Sequence, residues 1–474
     1  MMCSGFYRNG GKPMDCTATL HVFPQRRYQT IRHFGASACW WAPANGNNSK
    51  IDPALRLLFT DCGLGLNALR INIGGSVKDD RSDGKSSCPE ARNVYSPLRE
   101  DGTYDLRRCE GSWNVLQKAL KLGTITDITL FFNSPPSTMT KNGMTSSDNS
   151  GQEDVFISNL REDCYEAFAD YVAEITQRYI HAGIPVRYVS PINEPQWAWN
   201  GGQEGCHYTP EELVHAIRLI YRAFEARKKQ DPEMAQVRLS LPETAQWWQR
   251  PYVHEIYQLL ATDPEFTDLD HFCAHSYGTT REQKEDFVKF VRQCGGRTLP
   301  LHQTEFGGLH PEYDPTMQMG LELATVLYED LSILHCESWS WWLGIGSFVY
   351  TDGLICCDAE MNTIGFPKRY FVMKQHSRYL KDCTCLHVER ENLPDSVLGS
   401  AYLTPQGGIV FELVNTDTAP QTLCLCGLPT GASAAVIETS DDRSCEECNL
   451  ICADEPITIS PRSVTTLLFS PDTL

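Results

Sequence analysis

Eight times between residues 33 and 344 a short apolar run ends in Gly, Asn, Ser, Pro or an acid and gives way to a segment of helical periodicity. The runs are HFGASACWW (33–41), LNALRINIGG (66–75), ITDITLFFNSPP (125–136), VRYVSPINEP (186–195), VRLSLPE (237–243), LDHFCAHSYG (269–278), TLPLHQTEFGG (298–308) and ESWSWWLG (337–344). Helical segments are expected at 53–62, 112–122, 161–182, 209–229, 251–261, 280–294 and 315–335, with 367–380 after the last run. In 161–182, Tyr165, Phe168, Val172, Ile175 and Tyr179 step by three and four and make one apolar face. Thr209, Pro210 and Glu212 give the N-cap, first-position and acidic first-turn pattern of a helix start. Runs that are apolar throughout belong to strands buried on both faces, and parallel strands need helical crossovers. Eight such units predict an α/β fold, a closed (β/α)8 TIM barrel. A doubly wound open sheet fits less well, because no G-x-G-x-x-G follows the first strand.

After Lys381 the texture changes to short alternating runs separated by turn residues at about ten-residue spacing, the pattern of a small antiparallel β-sandwich. Residues 16–30 also alternate in strand fashion. The expected organisation is an N-terminal segment at 1–30 that adds a strand to the sandwich, a catalytic barrel at 31–378, and the β-sandwich at 379–474.

Composition narrows the function. A formal charge of −19 disfavours a nucleic-acid partner, which would draw its non-specific affinity from Lys and Arg. Neither an 18-residue apolar run for a membrane span nor the apolar stretch of a secretory signal is found. As written the chain reads as cytoplasmic; removal of a leader would make it a secreted protein. The 10 Trp and 19 Tyr exceed what packing asks for and hint at flat apolar ligands. The 20 cysteines, spread over 474 residues, read as mostly reduced; Cys62, Cys164, Cys273 and Cys336 sit inside apolar patterns as small hydrophobes. Cys383, Cys385, Cys424, Cys426, Cys445, Cys448 and Cys452 have spacings compatible with zinc thiolates or a disulfide, but the two C-x-C pairs read as alternating strand positions and no His follows. Free thiols are the expectation there. No metal and no cofactor is expected.

Barrel chemistry sits at the C-terminal ends of the strands. The polar residues found there are Arg70, Asn133, Ser134, Asn193, Glu194, Glu243, His275, Tyr277, Glu305, Trp339 and Trp342. Glu194 follows strand four and Glu305 strand seven, so in a ring of eight they face one another across the mouth. Two carboxylates flanking a bond are what glycoside hydrolysis requires, since the leaving oxygen needs a proton and the oxocarbenium-like centre an anion. Glu243 ends a strand as well and reads as a binding or supporting acid. His275 and His302 read as buried, hydrogen-bonded histidines.

SPINEPQW, HQTEFGG, FGASACWW, LRINIGG and FFNSPP resemble glycoside hydrolase family 30, in the clan of retaining (β/α)8 glycosidases, and the likeness spans nearly the whole chain. The resemblance implies that Glu194 is the acid/base and Glu305 the nucleophile. It further implies that Asn193 bonds the sugar 2-hydroxyl, that Arg70 orients the nucleophile, that Tyr277 bonds to it, and that Trp342 is the platform under the sugar. Asn133 and Trp41, at the ends of runs three and one, join the expected substrate-binding residues, with Trp197 on the leaving-group side. Two places depart from the family pattern: His33-Phe34-Gly35 stands where many relatives have Gly-Phe-Gly, and Ser137 and Thr138 where relatives often carry aromatics.

The segments around Glu194 and after Asn133 are most similar to enzymes acting on β-1,6-galactan or on β-galactosyl and β-fucosyl oligosaccharides. The expected partner is therefore a carbohydrate, cleaved by a two-carboxylate double displacement. The alternatives are the same mechanism on β-glucosyl, glucuronyl or xylan substrates, and an inactive barrel that only binds carbohydrate. A metal-dependent hydrolase on the same barrel would need paired histidines at strand ends, which are lacking.

Overall fold

The computed structural model describes residues 17–84, 92–147, 156–200, 202–308, 313–346 and 352–473; the first sixteen residues of the expected N-terminal segment lie outside this set. Strand β1 (Thr19–Thr30) is followed by β2 (His33–Ser37), β3 (Ala68–Ile73), β4 (Asp127–Phe132), β5 (Val186–Ser190), β6 (Arg238–Leu239), β7 (Pro242–Thr244), β8 (Phe272–Ala274), β9 (Leu301–Phe306) and β10 (Cys336–Leu343). Strands β2 to β10 form one sheet in the order β6-β5-β4-β3-β2-β10-β9-β8-β7, every pairing parallel. The two edge strands are consecutive halves of one strand. Between them the Ser240 N–H donates to Val189 O at 2.8 Å on the β5 side, and the Cys273 N–H donates to Leu241 O at 2.9 Å on the β8 side. The sheet thus closes into a TIM barrel of eight strands and leaves no free edge.

Strands β3, β4 and β9 are buried along their whole length, which is why they read as unbroken apolar runs. The helices between them are set by their ends. Thr209 caps Pro210–Gln230 and Thr280 caps Arg281–Gln293, each in a reciprocal capping box, with Glu212 and Gln283 respectively at the third helical position. The first run is shorter than its apolar stretch: β2 stops at Ser37, Trp40 turns left-handed at φ 66°, and Trp41–Asn45 is a short helix. A continuous apolar run does not by itself separate strand from buried helix. Likewise the helix at 52–59 ends before Cys62, whose side chain is exposed and no part of the core.

The second sheet is antiparallel except at one pairing, and its strands curl into a sandwich around a separate core containing Leu20, Val22, Phe411, Leu413, Leu423 and Leu467. Strand β1 lies inside this sheet, antiparallel to Thr384–Glu391 on one side and parallel to Gln421–Cys426 on the other. The helix Lys368–Tyr379 joins the two bodies. Its buried Gln375 places Nε2 at 3.2, 3.2 and 2.9 Å from Ile437 O, Val464 O and Thr466 Oγ1, which ties the helix to the sandwich. Cys383, Cys385, Cys445, Cys448 and Cys452 are free thiols, whereas Cys424 is disulfide-bonded, against the expectation for that residue. Strand alternation gives the direction of a side chain and not what meets it. Among the described residues no helix is long and apolar enough to cross a membrane.

Candidate active site

Parallel strands deliver their C-terminal ends to one face of the barrel, and there five carboxylate and cationic side chains, Arg70, Glu194, Glu243, His275 and Glu305, converge. Arg70 in β3 donates from Nη1 to Glu305 Oε2 at 2.8 Å, and its Nη2 lies 3.5 Å from Glu243 Oε2. Its guanidinium also rests on the Phe131 ring, 4.4 Å from the centroid. His275, just past β8, places Nδ1 2.8 Å from Glu194 Oε1 and Nε2 2.9 Å from Glu243 Oε2. Thr304 Oγ1 donates to that same Glu243 oxygen at 2.7 Å, and Tyr277 Oη donates to Glu305 Oε1 at 3.2 Å. Glu194 and Glu305 each bring a carboxylate oxygen, and His275 a ring nitrogen, to within 4.8 Å of one another.

Two of the acids sit on strained backbone. Glu194 and Glu243 have φ of 44° and 59°, a left-handed conformation uncommon outside glycine, and the Glu194 N–H donates to Glu243 O at 2.8 Å. Such residues cost about 1–3 kcal/mol each and persist only where their surroundings over-determine them. Here the surroundings are the closed strand β6/β7 on one side and β5 on the other, so the turn that presents Glu194 is braced by the turn that presents Glu243.

The charges are arranged in a definite order. Burial works against ionising Glu243, but Arg70, His275 and Thr304 overcome it and hold the carboxyl down at about 2. Burial likewise disfavours a charged His275, yet Glu305, Glu194 and Glu243 pull it up to about 10, and with both ring nitrogens facing carboxylates it donates from both as an imidazolium. Burial raises the Glu194 carboxyl above its ordinary value; His275 opposes this rise and Glu305 adds to it. Burial also raises the Tyr277 phenol well above its usual range, with Glu305 acting in the same direction, so the hydroxyl stays a donor. The outcome is one carboxyl biased towards its protonated form beside a second that accepts bonds from Arg70 and Tyr277. That pairing suits one group to give a proton and the other to act as an anion.

The residues anticipated from sequence are distributed as follows. Arg70, Glu194, Tyr277 and Glu305 are bonded into one network, and Asn133 and Asn193 are buried beside it with their Oδ1 atoms lacking a hydrogen-bond partner among the described residues. Trp342 is almost fully buried and meets Trp40 edge to face, centroids 5.2 Å apart. Trp197 is 39% exposed on the rim. Trp41 goes elsewhere: it is in the core at 1% exposure, with its indole N–H donating to Ser37 O at 3.0 Å. The left-handed turn at Trp40 sends the second tryptophan inward and leaves Trp40, which the sequence reading did not single out, against Trp342. From sequence, Glu243 reads as a binding or supporting acid and His275 as a buried, hydrogen-bonded histidine; their position at the hub of the network depends on which side chains meet inside the ring, and no local motif carries that information.

A model of O-glycosyl hydrolase family 30 matches residues 17–255 and 258–356. The endo-beta-1,6-galactanase of Hypocrea rufa is 25% identical over 391 residues, covering 77% of this chain and 74% of that protein. A conserved exported protein from Bacteroides fragilis superposes with a TM-score of 0.81 at 20% identity, over 95% of this chain and 100% of its own. The catalytic domain of the family 30 xylanase C from Talaromyces cellulolyticus does so with a TM-score of 0.73 at 18% identity, again over 95% and 100%. At these identities the two structural likenesses speak to the fold.

Proposed function

This chain belongs to O-glycosyl hydrolase family 30, and on that footing we propose that it cleaves β-linked glycans with retention of configuration, Glu305 acting as nucleophile and Glu194 as acid/base. The observation that carries the reading is the approach of the Glu194 and Glu305 carboxylate oxygens to within 4.8 Å. Retaining enzymes hold the two carboxyl groups about 5–5.5 Å apart, whereas inverting ones keep them about 6.5–9.5 Å apart to admit a water.

In the first step a Glu305 oxygen bonds to the anomeric carbon as the bond from that carbon to the leaving oxygen breaks, and the Glu194 proton passes to the leaving oxygen. Arg70 and Tyr277 keep the attacking carboxylate oriented, which turns a random encounter into a near-attack geometry. In the second step Glu194, now a carboxylate, takes a proton from water as the water oxygen bonds to the anomeric carbon and Glu305 departs. Asn193 bonds the sugar 2-hydroxyl beside this centre, Asn133 offers a further acceptor, and Trp342 supplies a flat apolar face for the ring.

The proposed substrates are β-1,6-galactan and β-galactosyl or β-fucosyl oligosaccharides, supported by the similarity to the Hypocrea rufa endo-beta-1,6-galactanase. Proton NMR of the first-formed anomer during turnover of a β-1,6-galactooligosaccharide tests the assignment: the β-anomer is expected, and an initial α-anomer refutes it. Glu305→Ala abolishes turnover, and azide restores it with an α-glycosyl azide as product; unimpaired activity in that variant removes Glu305 from the nucleophile's role.

A further inference from the structure

One wall of the mouth gathers Trp40 from beyond β2, Arg92 from beyond β3, and Trp342 and Asp352 from in and beyond β10, and it carries a charged group that the double displacement does not use. Trp40 and Trp342 meet there at 88°, and the Arg92 guanidinium lies over the Trp40 ring at 4.4 Å while its Nη1 donates to Gly202 O at 2.9 Å. Asp352, beyond β10, completes the group. Its Oδ2 and the Trp342 side chain crowd Gly307, two residues past Glu305: a methyl group placed on Gly307 would come within 3.4 Å of that oxygen and 3.0 Å of Trp342 Cβ.

Asp352 is held from behind. The buried Trp341 indole N–H donates to Asp352 O at 2.7 Å, the buried Arg369 Nε donates to the next carbonyl, Gly353 O, at 2.9 Å, and the Leu354 N–H returns to Leu343 O at 3.1 Å. The backbone is thus fixed on three consecutive residues, while the carboxylate accepts no side-chain hydrogen bond from any described residue. Burial raises it to about 6, a rise that its own backbone N–H and nearby Arg369 and Arg92 only partly offset. A partly buried carboxylate on braced backbone, beside two indoles and close to Glu305, is met by a backbone N–H and by no side-chain donor among the described residues, and so can take donors that a polyhydroxylated ligand brings.

Glu194 must face the leaving oxygen, so the strand-four side of the mouth takes the leaving group. The wall made by β2, β3 and β10 lies on the other side of Glu305 and borders the sugar that becomes attached to it. We propose that Asp352 is the hydroxyl-reading residue of the glycone pocket, accepting hydrogen bonds from one or two adjacent ring hydroxyls of a neutral pyranose seated against Trp342. A carboxylate in this place repels a uronate, so the pocket selects uncharged hexosyl units. This rests on the glycosidase reading above and deepens it, since a carboxylate acceptor left without its hydroxyl costs far more than a lost apolar contact.

The test is carried out in a Glu305→Gln background, which retains the pocket without the reaction. Calorimetry compares the affinity for a methyl β-1,6-galactobioside with that for its 2-, 3-, 4- and 6-deoxy analogues, modified on the non-reducing sugar, with and without Asp352→Asn. The added substitution is expected to weaken the parent ligand by about 10–100-fold. It should weaken one or two analogues, missing the contacted hydroxyls, by no more than about twofold. An equal loss on all five ligands means that Asp352 acts only on the shape of the pocket and overturns the proposal, as does an unchanged affinity for the parent. Failure of the parent to bind when Asp352 is intact refutes the galactosyl assignment instead, and the same comparison is then read on the β-1,6-glucobioside series, where the same two outcomes decide.

Discussion

Glu243 is the most demanding test of the electrostatics, because the variant Glu243→Gln alters one charge and almost no volume. In the folded protein Arg70, His275 and Thr304 surround Oε2, and the carboxyl is held at about 2 against an ordinary value of 4.5. A depressed carboxyl contributes stability that is present above its unfolded value and is lost as the pH falls through its folded one. The contribution at pH 7 is about 3 kcal/mol, shrinking to about 1 kcal/mol near pH 3. Removing one partner of a buried ion pair is known to cost about 3–5 kcal/mol, so two independent routes agree. Guanidinium denaturation of wild type and variant at pH 7, 4 and 3 measures the gap. It should be about 3 kcal/mol at pH 7 and narrow steadily towards acid. A gap below about 0.5 kcal/mol at pH 7, or one that does not change with pH, would show that Glu243 is not ionised at the hub and that Arg70 and His275 take their charge balance from elsewhere.

Other perturbations read other parts of the molecule. His275→Gln removes a cation that holds the Glu194 carboxyl down, so the alkaline limb of the pH profile of kcat/KM should move to higher pH while the rate falls; an unmoved limb would uncouple the two residues. Thr209→Ala breaks the capping box of the Pro210–Gln230 helix and should lower unfolding stability by about 1 kcal/mol, with Thr209→Ser restoring most of it; a full loss in Thr209→Ser would deny the cap its role. In the sandwich, burial raises Glu412 to about 8 although Thr466 donates to it. A raised carboxyl gives stability that is complete below about 4.5 and disappears as the pH rises through about 8, so the melting temperature should fall between pH 5 and 8.5, and Glu412→Gln should flatten that fall in a thermal scan.

The barrel was legible because its strands are buried on both faces and so leave eight continuous apolar runs, each punctuated where the chain emerges at the mouth. The end positions told where Glu194 and Glu305 would be delivered, since strand number alone fixes which points of a ring oppose. What the sequence did not carry is which side chains from different strands meet inside the ring. The bonds from Glu243 to Arg70, His275 and Thr304 cross from β7 to β3, to the end of β8 and to β9, and VRLSLPE gives no sign that the strand holding Glu243 is split and shared between both edges of the sheet. The placement of Trp41 was hidden for a different reason: the positive φ of Trp40 decides which indole enters the core and which meets Trp342, and Trp is not a residue from which a positive φ is inferred.

The placement of β1 sets an order of events for the chain as it is made. His21 and Glu391, hydrogen-bonded across two neighbouring strands, are 370 residues apart in sequence. At a synthesis rate of about 5–20 residues per second, the first strand waits on the order of half a minute for its partners. During that interval the barrel can close, because its own pairings lie within the part already made, but β1 remains an unpaired strand with both edges open. A copy of the sandwich that meets another chain's β1 before its own would be satisfied equally well, so crowded ribosomes on one message favour exchange of this strand between chains. The same arrangement makes β1 hard to withdraw from a finished molecule, since pulling it out parts the sandwich sheet in its interior instead of peeling it from an edge.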